Sequence, residues 1–198
     1  SYRANTYTGY VKVYEYNGTS WTQKGNTLTG DTSVDQFGWS VSLSSNGSIL
    51  AVGSNGVNSF TGNVKVYEYS GSSWTQKGST LIGNISGDQF GWIVSLSSNG
   101  TILGVGEYNS NNGTGSVKIY EYSSSWTQKG STLTGNTSRD QFGWSVSLSS
   151  DGNIIGIGAN GANSYAGNVK IYEYSSGSWT QKGNTLIGDS INDFFGYS

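Results

Sequence analysis

Four aspartates recur in the chain, each two residues before a Phe-Gly pair. They are Asp35, Asp88, Asp140 and Asp193. Gathered around one axis, four carboxylates could bind a cation or work as acid–base pairs. Their place before a turn also suits hydrogen bonding to turn N–H groups, a common use of Asp. A residue that is present in every copy most simply meets a structural need that every copy shares. We therefore favour the interpretation that these aspartates accept hydrogen bonds in their turns.

A second series of carboxylates lies close to lysines in a recurring V-K-V-Y-E-Y segment. The glutamates are Glu15, Glu68, Glu121 and Glu173, and the lysines are Lys12, Lys65, Lys118 and Lys170. These glutamates could bind sugars or act in catalysis. Cross-strand ion pairs, or edge charges that discourage strand-to-strand association, are the alternative that we favour.

Nucleophilic catalysis is poorly supported. The chain has no histidine and no cysteine, and no G-x-S-x-G motif occurs. Glycoside hydrolysis needs only two carboxylates, but they must differ in pKa, and this chain offers near-identical copies. Glu107, Arg3 and Arg139 have no counterpart in the other copies, yet they are few and scattered along the chain. We therefore predict no enzyme, no catalytic residue, no cofactor and no bound metal.

Aromatic residues and variable loops are the remaining binding candidates. A tryptophan opens each W-T-Q-K-G block and could stack on a sugar ring if exposed, or pack between repeats, which we favour. Segments 54–61, 107–115 and 159–167 differ between copies, and loops on a rigid scaffold often carry specificity. The candidate ligand or partner contacts are Trp21, Trp74, Trp126, Trp179, Glu107, Asn111 and Asn160.

Internal repetition organises these residues. The segment VKVYEY at 11–16 returns at 64, 117 and 169, with Ile in the third position of the last two copies. The blocks WTQKG and DQFGW keep the same spacing of 52 or 53 residues. Three unrelated landmarks with one period indicate duplication of a structural unit.

Each repeat contains strand and turn signals, and no helix is predicted. Phe37, Trp39, Val41 and Leu43 alternate with small residues, as in a pleated strand. Turn dipeptides of the type I′ hairpin follow at Asn46-Gly47, Asn99-Gly100 and Asp151-Gly152. Four short antiparallel strands in about 50 residues are typical of a blade of a β-propeller.

The repeat predicts an all-β, propeller-type array as one domain over 1–198. Its expected parts are a partial blade 1–34, complete blades 35–87, 88–139 and 140–192, and a partial blade 193–198. Three complete blades between two partial ones suggest a window on a longer array, or a protomer completed by another copy.

The order DQFGWSVSLSSNGSILAVGS, GNVKVYEY, SWTQKG resembles the FG-GAP repeats of integrin-type β-propellers. The matching pairs include Phe37-Gly38, Phe90-Gly91, Phe142-Gly143 and Phe195-Gly196. The resemblance implies that FG opens the innermost strand and that many members bind calcium in the following hairpin. Here the hairpins 44–47, 97–100 and 149–152 hold at most one carboxylate each, whereas calcium requires six to eight oxygen ligands. We expect no calcium there.

The amino-acid composition makes some classes of binding partner unexpected. Charged residues make up 11% of the chain and the net charge is −2, so nucleic acid is not an expected partner. No run of about 18 apolar residues occurs, so no membrane insertion is expected. We predict a non-catalytic, extracellular or surface-displayed module for adhesion or assembly, with a multivalent lectin as the alternative and a glycan-active enzyme third. The expected partners are other copies of the chain or the rest of a longer one, with glycans or surface proteins as further candidates.

Overall fold

The computed structural model describes residues 1–198, and most regular structure in them is antiparallel strand. The N-terminal part forms a helical turn and two small sheets, in which β1 pairs with β4 and β2 with β3. Its elements are α1 Ala4–Tyr7, β1 Tyr10–Val11, β2 Tyr14–Tyr16, β3 Trp21–Gln23 and β4 Leu28–Thr29.

Three five-stranded sheets follow, one for each complete copy of the repeat, and we call them the first, second and third blades. The first blade contains β5 Ser40–Leu43, β6 Ile49–Ser54, α2 Val57–Phe60, β7 Asn63–Tyr69, β8 Trp74–Gln76 and β9 Leu81–Ile82. The second contains β10 Ile93–Leu96, β11 Ile102–Glu107, α3 Ser110–Gly113, β12 Ser116–Tyr122, β13 Trp126–Gln128 and β14 Leu133–Thr134. The third contains β15 Phe142–Leu148, β16 Ile154–Ala159, α4 Ala162–Tyr165, β17 Asn168–Ser175, β18 Ser178–Gln181 and β19 Leu186–Ile187.

Strand order within each blade follows the chain. In the first blade β5, β6, β7 and β8 pair in sequence, and the short β9 pairs with the other end of β7. The fourth position of the sheet is thus an outer strand in two pieces. The predicted all-β class, with four antiparallel strand positions in each blade, is confirmed.

The hydrophobic core lies between blades. One cluster joins Ile49, Val64 and Val66 of the first blade to Leu103 and Val105 of the second. The second strand β6 is buried along its whole length, because it has a strand on either side and a packed surface above and below. Apolar residues therefore occupy consecutive positions there, while the outer strands keep a polar face.

Blades approach most closely at the innermost strands. The Ser40 hydroxyl donates a hydrogen bond of 2.9 Å to the Gly91 carbonyl of the next blade, and Ser145 does the same to Gly196 at 2.8 Å. A Cβ on Gly53 would overlap the Gly91 carbonyl oxygen. This position must be glycine for the backbones to come so close.

The hairpins lie where they were predicted, but their turn type differs. Gly47 has a positive φ of 65°, and Asn46 does not. The Gly47 N–H donates to the Ser44 carbonyl at 2.9 Å, and the Asn46 side chain accepts from the Ser48 N–H at 3.0 Å. Because the Asn side chain binds the next backbone donor, the dipeptide does not form the predicted type I′ turn.

Short helical turns between the second and third strands were not predicted either. Each of α1 to α4 has four residues, and the last three of each are left-handed, such as Asn58 at φ 49°, Ser59 at φ 56° and Phe60 at φ 63°. Asn and Ser accept this conformation more readily than branched residues. None of these helices has the length and apolar character needed to cross a membrane.

Two alanine substitutions test the close approach of the blades. Gly53→Ala should lower the free energy of unfolding by about 1–3 kcal/mol, because the new methyl group forces neighbouring blades apart. Gly156→Ala should raise it by about 0.4–1 kcal/mol, because the nearest atom to its Cβ is the Ser147 oxygen at 4.0 Å. Urea denaturation measures both. Equal effects of the two substitutions would contradict the proposed contact at Gly53.

Candidate functional site

The largest cleft of the protein, about 800 Å³, opens between the loops of the second and third blades. The two links that join successive blades, 83–92 and 135–141, meet there with α3. All but one of the lining residues are polar or glycine. We call it the Arg139 cleft, and it is lined by Ile85, Ser86, Gly87, Asp88, Asn109, Asn111, Asn112, Gly113, Ser138, Arg139 and Gln141.

A glycine takes the place of an aromatic residue in the loop that lines this cleft. The last residue of α3 is Gly113, whereas α1, α2 and α4 end in Tyr7, Phe60 and Tyr165. All four have a left-handed backbone, with φ of 78° at Gly113 and 63–66° at the aromatic residues. The Tyr165 ring packs on Phe194 with centroids 5.5 Å apart. No such ring lies beside Arg139, and the cleft there is larger than the cleft of about 490 Å³ that Tyr7 and Phe60 line.

Arg139 brings a positive charge to this cleft. Its side chain is exposed and takes part in none of the six ion pairs of the protein. The Ser138 hydroxyl donates to the Asn112 carbonyl at 2.9 Å and so joins the link 135–141, which contains Arg139, to α3. An unpaired guanidinium is suited to bind a carboxylate or a phosphate group with two parallel hydrogen bonds.

Asp88 is the one recurring aspartate whose carboxylate accepts no hydrogen bond from the turn before it. Asp35 accepts from the Thr32 N–H at 2.8 Å, Asp140 from Thr137 at 2.9 Å and Asp193 from Ser190 at 2.7 Å. The half-buried Asp88 carboxylate accepts no hydrogen bond from the chain. The structural interpretation of these aspartates therefore fits three copies, and Asp88 is left free in the cleft.

The surroundings of Asp88 favour its protonated form. Burial raises the pKa of Asp88, the negative charge of Glu107 raises it further, and Lys118 opposes both effects. A carboxyl group shifted towards neutral pH in a cleft can exchange protons with a substrate.

Glu107 is the last residue of β11 and is only 3% exposed. Its Oε1 accepts from the Ser116 hydroxyl at 2.5 Å and pairs with the Lys118 ammonium at 2.9 Å, while Oε2 has no partner. In the first blade the matching Lys65 pairs instead with Asp31 at 2.6 Å. The second blade has Asn84 at the position of Asp31, so Glu107 supplies the missing negative charge and places it near Asp88.

The other residues singled out from the sequence are dispersed. Trp74, Trp126 and Trp179 are buried between blades, and Trp21 is 69% exposed. Asn111 lines the Arg139 cleft. Asn160 is buried, and its side-chain oxygen has no partner.

The sequence analysis missed an aromatic cluster on the innermost strands. Trp92 contacts Trp39 and Trp144 at ring centroid distances of 4.7 and 4.8 Å, and Tyr108 bridges the latter pair. The three tryptophans border another cavity, of about 450 Å³. The two-residue period assigned the tryptophans to a strand, but it could not show that successive copies converge.

Comparison with known proteins identifies the fold. No protein-family model matches the chain, and no curated protein is similar in sequence. A candidate 6-phosphogluconolactonase of Bacteroides uniformis superposes with a TM-score of 0.65 and 11% identity, over 93% of this chain and 50% of that one. A second candidate 6-phosphogluconolactonase, of Bacteroides fragilis, gives 0.61 and 17% over 89% and 48%. Both are propeller-type folds, and this chain spans about half of their length.

These neighbours contradict the function expected from the sequence. Both are described as enzymes, so a non-catalytic adhesion, assembly or lectin module, and the prediction of no enzyme, must be corrected. The prediction assumed that the repeat lacks an asymmetric chemical site. That premise fails at the Arg139 cleft, which Asp88, Gly113 and Arg139 make different from its counterparts. At such low identities the likeness shows the fold alone, and no activity follows from it directly.

The raised pKa of Asp88 predicts a pH-dependent stability difference. The folded chain holds the Asp88 proton more tightly than the unfolded chain, so its contribution to stability is complete in acid and is lost as pH rises through the folded pKa. Asp88→Asn cannot ionise, so this variant should melt at a higher temperature than the parent at pH 7. The difference should shrink below about pH 4. Thermal melting across that range is the measurement.

Asp35→Asn provides the matched control for this experiment. Asp35 is 6% exposed, and both of its oxygens accept hydrogen bonds. An amide can accept at only one of its two positions, so this variant should lose about 1–3 kcal/mol. If Asp88→Asn also melted below the parent at pH 7, the Asp88 carboxylate would not be free.

Proposed function

We propose that the chain is a hydrolytic enzyme that acts at the Arg139 cleft on a small, anionic, polyhydroxylated substrate. The observation that carries the proposal is the presence of a free carboxylate, Asp88, and an unpaired cation, Arg139, in one polar cleft. The names of the two structural neighbours suggest the substrate class, a phosphorylated sugar lactone.

Arg139 and the asparagines of α3 would bind such a substrate. The guanidinium would hold the phosphate. The side chains of Asn111 and Asn112 make no hydrogen bond within the chain and are available to sugar hydroxyls. Asn109 donates to the Gly87 carbonyl at 2.7 Å and so fixes the position of α3 against the preceding link.

Asp88 would act as the general base. In its ionised form it takes a proton from a water molecule as the water oxygen attacks the lactone carbonyl carbon. The bond from that carbon to the ring oxygen then breaks, and the proton passes from Asp88 to the departing oxygen. The product is the open hydroxy acid, and Asp88 returns to its ionised form. The buried Glu107 charge strengthens Asp88 as a base because it raises the pKa of the carboxyl group.

The type of repeat and its division belong to the same proposal. The FG-GAP type is supported by Phe37, Phe90 and Phe142, which are almost completely buried where each innermost strand begins. A glycine with positive φ follows each of them. The division into blades 35–87, 88–139 and 140–192, with partial blades at 1–34 and 193–198, remains our proposal.

Hydrolysis of 6-phosphogluconolactone above its uncatalysed rate tests the activity. Asp88→Asn should lower kcat by about 10²–10⁴-fold, because it removes the general base. Arg139→Gln should lower kcat/KM by about 10- to 100-fold, the equivalent of one hydrogen-bonded charge pair. The effect of Arg139→Gln should disappear with the unphosphorylated lactone.

Two substitutions outside the cleft serve as controls. Arg3→Gln changes the only other arginine, and Asp193→Asn changes an aspartate that serves its own turn. Both should leave the rate unchanged. Equal losses in all four variants, or no hydrolysis by the parent chain, would refute the proposed activity.

Gly113→Phe tests whether the open cleft is required. The matching Phe60 has φ 63°, so phenylalanine is compatible with this backbone. A Cβ on Gly113 would meet the Arg139 Cα at 3.4 Å, an ordinary contact. The ring should fill the space beside Arg139 and abolish hydrolysis, while the variant still folds and loses about 1–2 kcal/mol of stability to its left-handed backbone. Full activity in this folded variant would place the reaction elsewhere.

A further inference from the structure

The first blade has a counterpart of the Arg139 cleft, and its lining is uncharged. This cleft of about 490 Å³ is formed by α1, α2 and the link 30–39, and we call it the Phe60 cleft. It is lined by Tyr7, Val34, Gln36, Gly56, Ser59 and Phe60. Its volume lies in the range of small-molecule sites. Because no charged side chain lines it, the Phe60 cleft is suited to an uncharged ligand.

Two exposed aromatic rings border this cleft. Phe60 is 46% exposed and Tyr7 is 47% exposed. The blade that contains Phe60 packs on a neighbour at each face, so the exposure of its ring does not come from a missing neighbour. The equivalent Tyr165 of the third blade is 44% exposed. An exposed ring at this position is therefore a property of the repeat, and it leaves an aromatic face free for stacking.

Another copy of the repeat shows what such a ring accepts. Phe194 takes the place of Gln36 in the link after the third blade. The backbone N–H of Gln36 donates to the Tyr7 carbonyl at 2.8 Å, and that of Phe194 donates to the Tyr165 carbonyl at 2.9 Å. Both residues are left-handed, with φ of 58° and 53°. The Phe194 ring packs on Tyr165 with centroids 5.5 Å apart. With glutamine at this position, Tyr7 receives no ring from the chain.

Two polar groups of the Phe60 cleft are free to bind a hydroxyl group. The Gln36 side-chain amide and the Ser59 hydroxyl make no hydrogen bond within the chain, and only the Ser59 carbonyl is engaged, by the Ser86 hydroxyl at 2.8 Å. An amide and a hydroxyl can each donate to or accept from a neutral hydroxyl group. A ligand with an aromatic ring and one hydroxyl group would use both the apolar and the polar parts of the lining.

We infer that the Phe60 cleft binds an uncharged phenol, with its ring stacked on Tyr7 as Phe194 packs on Tyr165. The Gln36 amide or the Ser59 hydroxyl binds the phenol oxygen. No residue of the Phe60 cleft lines the Arg139 cleft, so the inference does not depend on the proposed hydrolysis.

Fluorine NMR of 4-fluorophenol, titrated with the parent chain, tests this site. The dissociation constant should be on the order of 1 mM, because the ligand has few atoms. Phenol should displace the probe. Cyclohexanol has a similar size and a hydroxyl group but no aromatic face, so it should displace the probe at least about fivefold less well.

Gln36→Phe is the most direct substitution. Because Phe194 has the same backbone conformation, the new ring should pack on Tyr7 and take the place of the ligand, and binding of 4-fluorophenol should be lost. Hydrolysis of 6-phosphogluconolactone should be unchanged in this variant. Phe60→Gly, which copies Gly113 of the second blade, tests the site independently and should raise the dissociation constant about two- to tenfold.

Tyr165→Ala is the matched control, because the Phe194 ring already packs on Tyr165. This variant should bind 4-fluorophenol like the parent, and circular dichroism of all three variants should match that of the parent. No binding by the parent up to about 10 mM probe, or displacement by cyclohexanol as good as by phenol, would overturn the inference. Binding that persists in folded Gln36→Phe, or an equal loss in Tyr165→Ala, would do the same.

Discussion

Packing of one blade on the next is the interaction on which this protein depends. Each sheet is apolar on both faces, and its buried residues form clusters with those of the neighbouring blade. The tryptophan that donates to a lysine carbonyl fixes the outer strands, and the serine that donates to a glycine carbonyl fixes the inner ones. The tryptophan contact is made at all three junctions and the serine contact at two, since Ile93 takes the place of the serine in the second blade. These shared demands explain why the strands of the copies are so alike.

The Arg139 cleft arises where one copy departs from the others in several places at once. Gly113 stands where the other copies have an aromatic residue, and Arg139 adds a positive charge. Asp88 accepts no hydrogen bond from its turn. Glu107 compensates for Asn84 and alters the electrostatics of Asp88 in doing so. None of these changes touches the contacts between blades, so the scaffold tolerates them. An asymmetric site can therefore develop on a symmetric framework.

The recurring sequence pattern made the fold predictable. The residues of the Arg139 cleft follow no such pattern, so the sequence did not reveal the cleft. Alternating apolar residues and recurring Asn-Gly pairs located the strands and hairpins, because both patterns reflect local geometry. The left-handed turns α1 to α4 have no such pattern. Asp88 and Arg139 lie a whole repeat apart, and nothing in the sequence shows that they share a cleft. Alignment of RANTYTG, GVNSFTG, NSNNGTG and GANSYAG would have exposed Gly113 as the departure, although not the cavity that it opens.

The position of the core between blades has a consequence for the folding pathway. A single blade has no core of its own, so the smallest cooperative unit is a pair of adjacent blades, and order then propagates along the chain. Contacts of this kind join residues about one repeat apart, so the entropy of loop closure is similar at each step. Folding can therefore begin at any junction. The first and second blades, which pack on neighbours at both faces, should remain folded the longest.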